Sequence, residues 1–274
     1  MAREQDEFAA AVMRRINELR QSDLVIKASR TQAETLRASA AAVPPMGHPD
    51  FHNLPIGEVG TRNAAAMFLD LRRFTARSFW DLPEEIIRVN VAVMSELAEA
   101  VQRHGGYVLG LRGDGVFACF DGKGQLDDRG VAAFGVAAGA FALDAVRNSL
   151  NHLLHDSGIE PVQVRVGLDF GRLDFVRIGS PAGSEVNVLG FAANFASKCE
   201  KYALSWEMVA GETLANLLPQ DDVNHHGESP VRYTRDNDVR SYRFYDVSWN
   251  RYLKHVDGIA EQLAGRPVSA VRVA

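Results

Sequence analysis

Two aspartates stand where apolar residues would be expected. Asp70 falls near the end of "MFLDLRRF" (67–74), and Asp114 lies inside "YVLGLRGDGVFACF" (107–120), each interrupting an apolar run. Two carboxylates held at close range repel one another unless a cation sits between them. A hard divalent ion suits that place, because Mg²⁺ takes one or two protein carboxylates and completes its shell with water and phosphate oxygens. The pair therefore points to metal-assisted nucleotide chemistry, on condition that the fold brings the two positions together. Singly, each residue has an ordinary reading. Asp-Gly is a common hairpin turn, and Asp70 could cap a helix or pair with Arg72 or Arg73.

The elements around them suggest how they meet. "AAAMFLDL" reads as a strand, and "PEEIIRVNVAVMSELAEAVQRHGG" as a helix opened by Pro83 and acidic residues and stopped by glycines. "YVLGLR" and "GVFACF" alternate on either side of Gly113 and Asp114, as a tight hairpin does. An Ala-rich helix over 128–155 follows, then "VQVRVGLDFG" and "RLDFVRIGS" as a strand pair. A helix in "GFAANFASKCEKYA" and short strands in "WEMVAG" and "VRSYRFYDVS" come last. The order predicts an α/β (α+β) fold with a ferredoxin-like βαββαβ palm core, additional C-terminal strands and an N-terminal helix. In that topology the end of the first strand lies beside the hairpin turn, so Asp70 and Asp114 share one place despite 43 intervening residues.

Phe8, Val12, Ile16 and Leu19 recur at helical spacing, which predicts an amphipathic helix over 4–21 that packs on its own domain or strengthens a dimer. Pro44, Pro45, Pro49 and Pro55 mark an extended connector. The expected division is an N-terminal helix and connector (1–60), a catalytic domain (61–250) and a C-terminal helix or tail (251–274). The 274 residues are 46% hydrophobic with a net charge of −5, which argues against a broad nucleic-acid-binding face. The charged start lacks the pattern of a signal peptide, and no stretch reads as the roughly 20 apolar residues of a membrane span; a cytoplasmic protein is expected. Cys119 and Cys199 read as buried free thiols.

Taken together, "FLDLRRFT", "GGYVLGLRGDGVFACF", "VRVGLDFGRL" and "VNVLGFAANFASK" resemble, in order and spacing, the class III nucleotidyl cyclase catalytic domain over about residues 62–205. The resemblance implies two Mg²⁺ or Mn²⁺ ions per active site, held by Asp70, Asp114 and the carbonyl of Leu71. It places Phe74 and Thr75 in a phosphate-binding turn, where Arg73 replaces the usual glycine and either crowds the site or, the favoured reading, adds a phosphate ligand. Arg165 falls where the terminal phosphates bind, and Arg235 is a candidate for a later cation. Asn194 matches the asparagine that orients the ribose. Lys198 stands where an arginine usually stabilises the reacting phosphate, keeping the charge but not the bidentate fork. In this family the metal aspartates and the Asn/Lys pair come from opposite subunits, so a head-to-tail homodimer is implied.

The base-reading positions depart from the purine pattern. Gly110 stands where purine-selective members have a lysine, and Asn187 where they have aspartate or threonine. An amide offers both a donor and an acceptor, suited to uracil or, flipped, to cytosine, and still able to meet a purine. With its compact layout, the chain looks like the bacterial pyrimidine cyclases of antiphage defence, known as Pycsar, which make cyclic UMP or cyclic CMP for a separate effector. UTP is the expected substrate and CTP the next. The alternatives are an adenylate or guanylate cyclase with atypical base contacts, and an inactive cyclase-like dimerising or nucleotide-sensing module.

Overall fold

The computed structural model describes residues 2–21, 46–124, 126–180 and 182–256; part of the connector, 22–45, and the tail beyond 256 lie outside them. β1 (Val59–Arg72) pairs antiparallel with β3 (Gly115–Phe120) on one side and with β4 (Gln163–Ser180) on the other. β2 (Tyr107–Arg112) closes the hairpin against β3. The resulting order β2-β3-β1-β4 is that of the expected βαββαβ core. Beyond β4 the sheet continues through β6 (Met208–Gly211), β10 (Phe244–Val247) and β7 (Val223–His225), while β5 (Gly183–Leu189) folds back on β4. Two further strands, β8 (Val231–Arg235) and β9 (Asp238–Tyr242), form a separate hairpin.

The helices are α1 (Ala2–Gln21), α2 (Phe74–Trp80), α3 (Pro83–Arg103), α4 (Asp128–Asp144), α5 (Asn151–Asp156), α6 (Phe191–Tyr202) and α7 (Glu212–Ala215). Local chemistry sets their starts: Pro83 opens α3, and the Asp127 carboxylate accepts the Gly130 N–H at 2.8 Å to cap α4. Met67, Leu69 and Leu71 of β1 share a core with Val93 and Leu97 of α3 and Phe141 of α4. Ala64, Ala66 and Phe68 point to the opposite face, where Ala192, Ala193 and Ala196 of α6 cover them. Because side chains alternate along a strand, Asp70 belongs to the α6 face. It therefore ends an apolar run without entering the main core.

Three expectations need correction. The strand pair over 162–180 is one strand of 18 residues, β4. Gly171 makes no turn within it but lets α6 approach, since a Cβ there would lie 3.3 Å from that of Ala192. Its hairpin partner is β5, an element the sequence pattern did not suggest. "VRSYRFYDVS" divides at Arg243 into β9 and β10, which belong to different sheets. The run Asp128–Asp156, continuous through a π-helical turn, is long and apolar enough by composition to cross a membrane. It is a core helix, with 89% of its apolar window buried inside the domain. For α1 the own-domain alternative holds: Phe8, Ala9, Val12 and Ile16 are fully buried, Phe8 meets Phe141 edge-on at 5.9 Å, and Arg15 pairs with Glu96 at 2.9 Å. Its apolar face is thereby covered within the chain.

Candidate active site

Asp70 sits opposite Gly115 of β3 and opposite Arg165 of β4. Across the second pairing, Arg165 Nη2 and Nε donate to Asp70 Oδ2 at 2.8 and 3.0 Å. This cross-strand partner replaces Arg72 or Arg73 as the ion pair of Asp70. Arg165 Nη2 also lies 2.6 Å from Glu200 Oε1 of α6, so one guanidinium is shared by two carboxylates. Glu200 is 8% exposed, and burial pushes its carboxyl up to about 7, against the pull of Arg165.

α6 can bring Glu200 so near because position 167 is glycine. A Cβ on Gly167 would lie 2.0 Å from the Glu200 backbone nitrogen, an impossible approach for any other residue.

Asp114 occupies the β2–β3 turn. Its carbonyl accepts the Leu71 N–H at 2.9 Å, and Asn90 Nδ2 bonds the neighbouring Gly113 carbonyl at 3.2 Å, so the turn is tied both to the end of β1 and to α3. Burial, then the charge of Asp70, raises the Asp114 carboxyl above the ordinary carboxylate range. Two partly desolvated carboxylates in each other's field, beside the strand-end backbone of Leu71, form a hard-oxygen donor set that a divalent cation would relieve. Among the described residues no cluster of three or more His, Cys, Asp or Glu ligands occurs. Such a set suits an ion that completes its shell with substrate and water.

After β1 the chain turns sharply. Arg73 has φ of 63°, the left-handed conformation in which glycine costs least, and it is exposed. Phe74 packs into the core while Thr75 stays exposed at the start of α2.

The remaining candidates lie elsewhere on the chain. Asn194 and Lys198 are exposed on α6, and Lys198 is about 200° around the helix from Glu200. The face that reaches Arg165 is therefore not the one that carries Asn194 and Lys198. Asn187 of β5 pairs with Val176, which is 176 − 165 = 11 residues along β4 from the partner of Asp70, or about 35 Å of strand. Its Oδ1 accepts the Val188 N–H at 2.8 Å, leaving the amide nitrogen as its donor. Gly110 faces Phe117 across the hairpin, with open space where a side chain would begin. Arg235 ends β8 with its side chain 95% exposed. One chain thus assembles Asp70, Leu71, Asp114 and Arg165, and turns Asn194 and Lys198 away from them.

Glu200 was not among the residues expected from the sequence. A signal existed: Ala192, Ala196 and Glu200 recur every four residues, so the buried stripe of α6 ends in a carboxylate.

A palm sheet that gathers two aspartates at the end of its first strand and the following hairpin is the arrangement that the resemblance to the class III cyclases implies. The chain belongs to that family: the family described as "Adenylate and Guanylate cyclase catalytic domain" matches residues 58–244. Similar curated proteins include an adenylate cyclase of Anabaena cylindrica, 27% identical over 148 residues, covering 54% of this chain and 29% of that protein. A cytidylate cyclase of Escherichia coli is 22% identical over 215 residues (75% of this chain, 43% of that protein), and one of Staphylococcus aureus is 21% identical over 218 (75% and 51%). The chain thus spans from under a third to about half of these relatives. Among solved structures, the adenylyl cyclase CyaB from P. aeruginosa aligns with a TM-score of 0.61 at 19% identity, over 69% of this chain and 95% of that one. The guanylyl cyclase Cya2 aligns at 0.57 and 23%, over 70% and 94%. These two likenesses bear out the mixed α/β palm fold.

Proposed function

We propose that the chain is a pyrimidine nucleotide cyclase that converts UTP or CTP to the 3′,5′-cyclic monophosphate and pyrophosphate. The observation that carries this is the gathering of Asp70, Asp114 and Arg165 at one end of the sheet, while Asn194 and Lys198 face outward on α6. A site needing all five is completed by a second copy, so the working unit is a homodimer with sites at its interface. Two divalent ions, Mg²⁺ or Mn²⁺, held by Asp70, Asp114 and the Leu71 carbonyl, would acidify the ribose 3′-hydroxyl and neutralise triphosphate charge.

The chain's own groups do the positioning. Arg165 leaves Asp70 to hold the terminal phosphates through its planar fork, with Arg73, Phe74 and Thr75 forming the turn beside them. Asn194 of the second copy orients the ribose, and its Lys198 offsets charge on the α-phosphate. The 3′-hydroxyl gives up its proton to solvent water, and its oxygen bonds to the α-phosphorus as the bond to the pyrophosphate oxygen breaks.

Pyrimidine preference rests on the missing side chain at Gly110 and the free amide donor of Asn187, which suits a carbonyl of uracil or the N3 acceptor of cytosine. The cytidylate cyclases among the relatives support a pyrimidine, although an adenylate cyclase is about as similar. A cytoplasmic setting in antiphage defence, with a separate cyclic-nucleotide effector, completes the proposal. So does the division into an N-terminal segment, a catalytic domain and a tail.

Incubation with equimolar ATP, GTP, CTP and UTP plus Mg²⁺ or Mn²⁺, with products read by mass spectrometry, tests it. Cyclic UMP or CMP as the main product is expected. Cyclic AMP or GMP would discard the base reading while keeping the cyclase. Nucleotide binding without product would favour the sensing module, in which Arg165 stays on Asp70.

A further inference from the structure

We propose, resting on the role given above to Lys198, that Tyr233 is a positioning residue which holds the Lys198 ammonium and supplies the direction a guanidinium fork would otherwise give. A lysine is a point charge on a flexible stem, so its charge alone does not fix where it points. Lys198 Nζ lies 5.9 Å from the centroid of the Tyr233 ring, within the range of a cation–π contact. No described carboxylate comes within ion-pair distance of Lys198; the nearby Glu200 is turned the other way, onto Arg165. The aromatic ring is thus the group that orients the ammonium.

The ring is itself held. Tyr233 meets Phe191 edge-on at 6.0 Å, and Phe191 stacks on Phe195 at 5.5 Å. Tyr242, on the other strand of the same hairpin, packs edge-on against both, at 4.8 and 4.5 Å. Its hydroxyl is locked from below: it donates to the fully buried Asp169 carboxylate, 3.1 Å from each oxygen, and accepts the Thr213 N–H at 2.9 Å. The β8–β9 hairpin is therefore pinned to the domain at Tyr242, and its register carries Tyr233 to the side of α6 that bears Lys198. Tyr233 remains 37% exposed and Phe191 50% exposed, more than core packing requires but suited to a ring facing a site.

The test compares Tyr233→Leu, Tyr233→Phe, Lys198→Met and the double variant Tyr233→Leu/Lys198→Met, with CTP and UTP as substrates. Tyr233→Leu is expected to lower kcat about tenfold with little change in KM, and Tyr233→Phe, which keeps the ring, to stay within about twofold. In the Lys198→Met background Tyr233→Leu should cost nothing more. Independently of turnover, after reductive ¹³C-methylation the Lys198 N-methyl resonance, assigned with Lys198→Arg, should be shifted upfield by the ring current and should return to the ordinary lysine position in Tyr233→Leu. An unshifted resonance in the wild-type chain, or losses that simply multiply in the double variant, would overturn the inference. Lys198→Met with undiminished kcat would overturn the role of Lys198 itself, and this inference with it.

Discussion

Arg165 stands directly across from Asp70 in the β1–β4 register and grips a single oxygen of it with two nitrogens, at 2.8 and 3.0 Å. The same guanidinium faces the nearly buried Glu200. One guanidinium of the protein's own thus serves two carboxylates, one brought by β1 and one by α6.

Neutralising either aspartate should separate chemistry from folding. Asp70→Asn and Asp114→Asn are each expected to lower cyclisation by at least about a hundredfold while circular dichroism keeps the wild-type form; Asp70→Asn, which strips Arg165 of its doubly bonded carboxylate, should also lose about 1–2 kcal/mol in urea unfolding. Asp114→Asn also removes a partly desolvated charge facing Asp70, so its stability should be equal or slightly higher. Cyclisation by the double variant at a comparable rate would dismiss the metal-site reading.

Glu200→Gln removes one of two carboxylates from Arg165. The remaining pair with Asp70 persists, and burial already pushes the Glu200 carboxyl up to about 7, so stability near pH 7 should change by less than about 1 kcal/mol in urea unfolding. Glu200→Ala should lose more, because it also opens space beneath α6.

Arg73→Gly relaxes a left-handed backbone position. Stability should rise by about 1 kcal/mol, read as a higher denaturation midpoint. If Arg73 contacts phosphate, the same variant should bind nucleoside triphosphates more weakly; unchanged affinity would leave it only a conformational role.

His104 predicts a pH effect away from the site. It is buried, donates Nδ1–H to the Ala100 carbonyl at 2.7 Å, and burial pushes its ring down to about 4. The unfolded ring, with a value near 6.5, then binds protons more readily than the folded one. Stability from this group is complete above about pH 6.5 and falls as pH drops toward 4, by at most about 3 kcal/mol. His104→Gln should flatten that part of the stability curve relative to wild type.

Asn187→Asp exchanges an amide donor for an acceptor. Relative rates across the four nucleotides should move toward bases that present an amino group. Unchanged ratios would show that position 187 does not read the base.

The sequence was informative wherever a local pattern carried the structure. Alternation in β1, the Asp-Gly turn, Pro83 and the apolar spacing of α1 each describe residues a few positions apart, and from them the βαββαβ order and the convergence of Asp70 with Asp114 could be read. It misled where a glycine served packing. The expected strand pair divides after Gly171, yet the strand runs on there and the missing side chain admits α6, a helix 20 residues further on.

By itself, then, the sequence determined the palm fold, because element order and strand parity are set by short-range patterns, and its ordered motifs carried the resemblance to the cyclase family. Only the tertiary structure decided that Arg165 bridges Asp70 and Glu200, that Lys198 lies over Tyr233, and that α6 turns Glu200 one way and Asn194 and Lys198 another. Those relationships depend on strand register and on how closely a helix can approach a sheet at Gly167. Both are fixed by contacts between segments far apart in the chain, which no local pattern encodes.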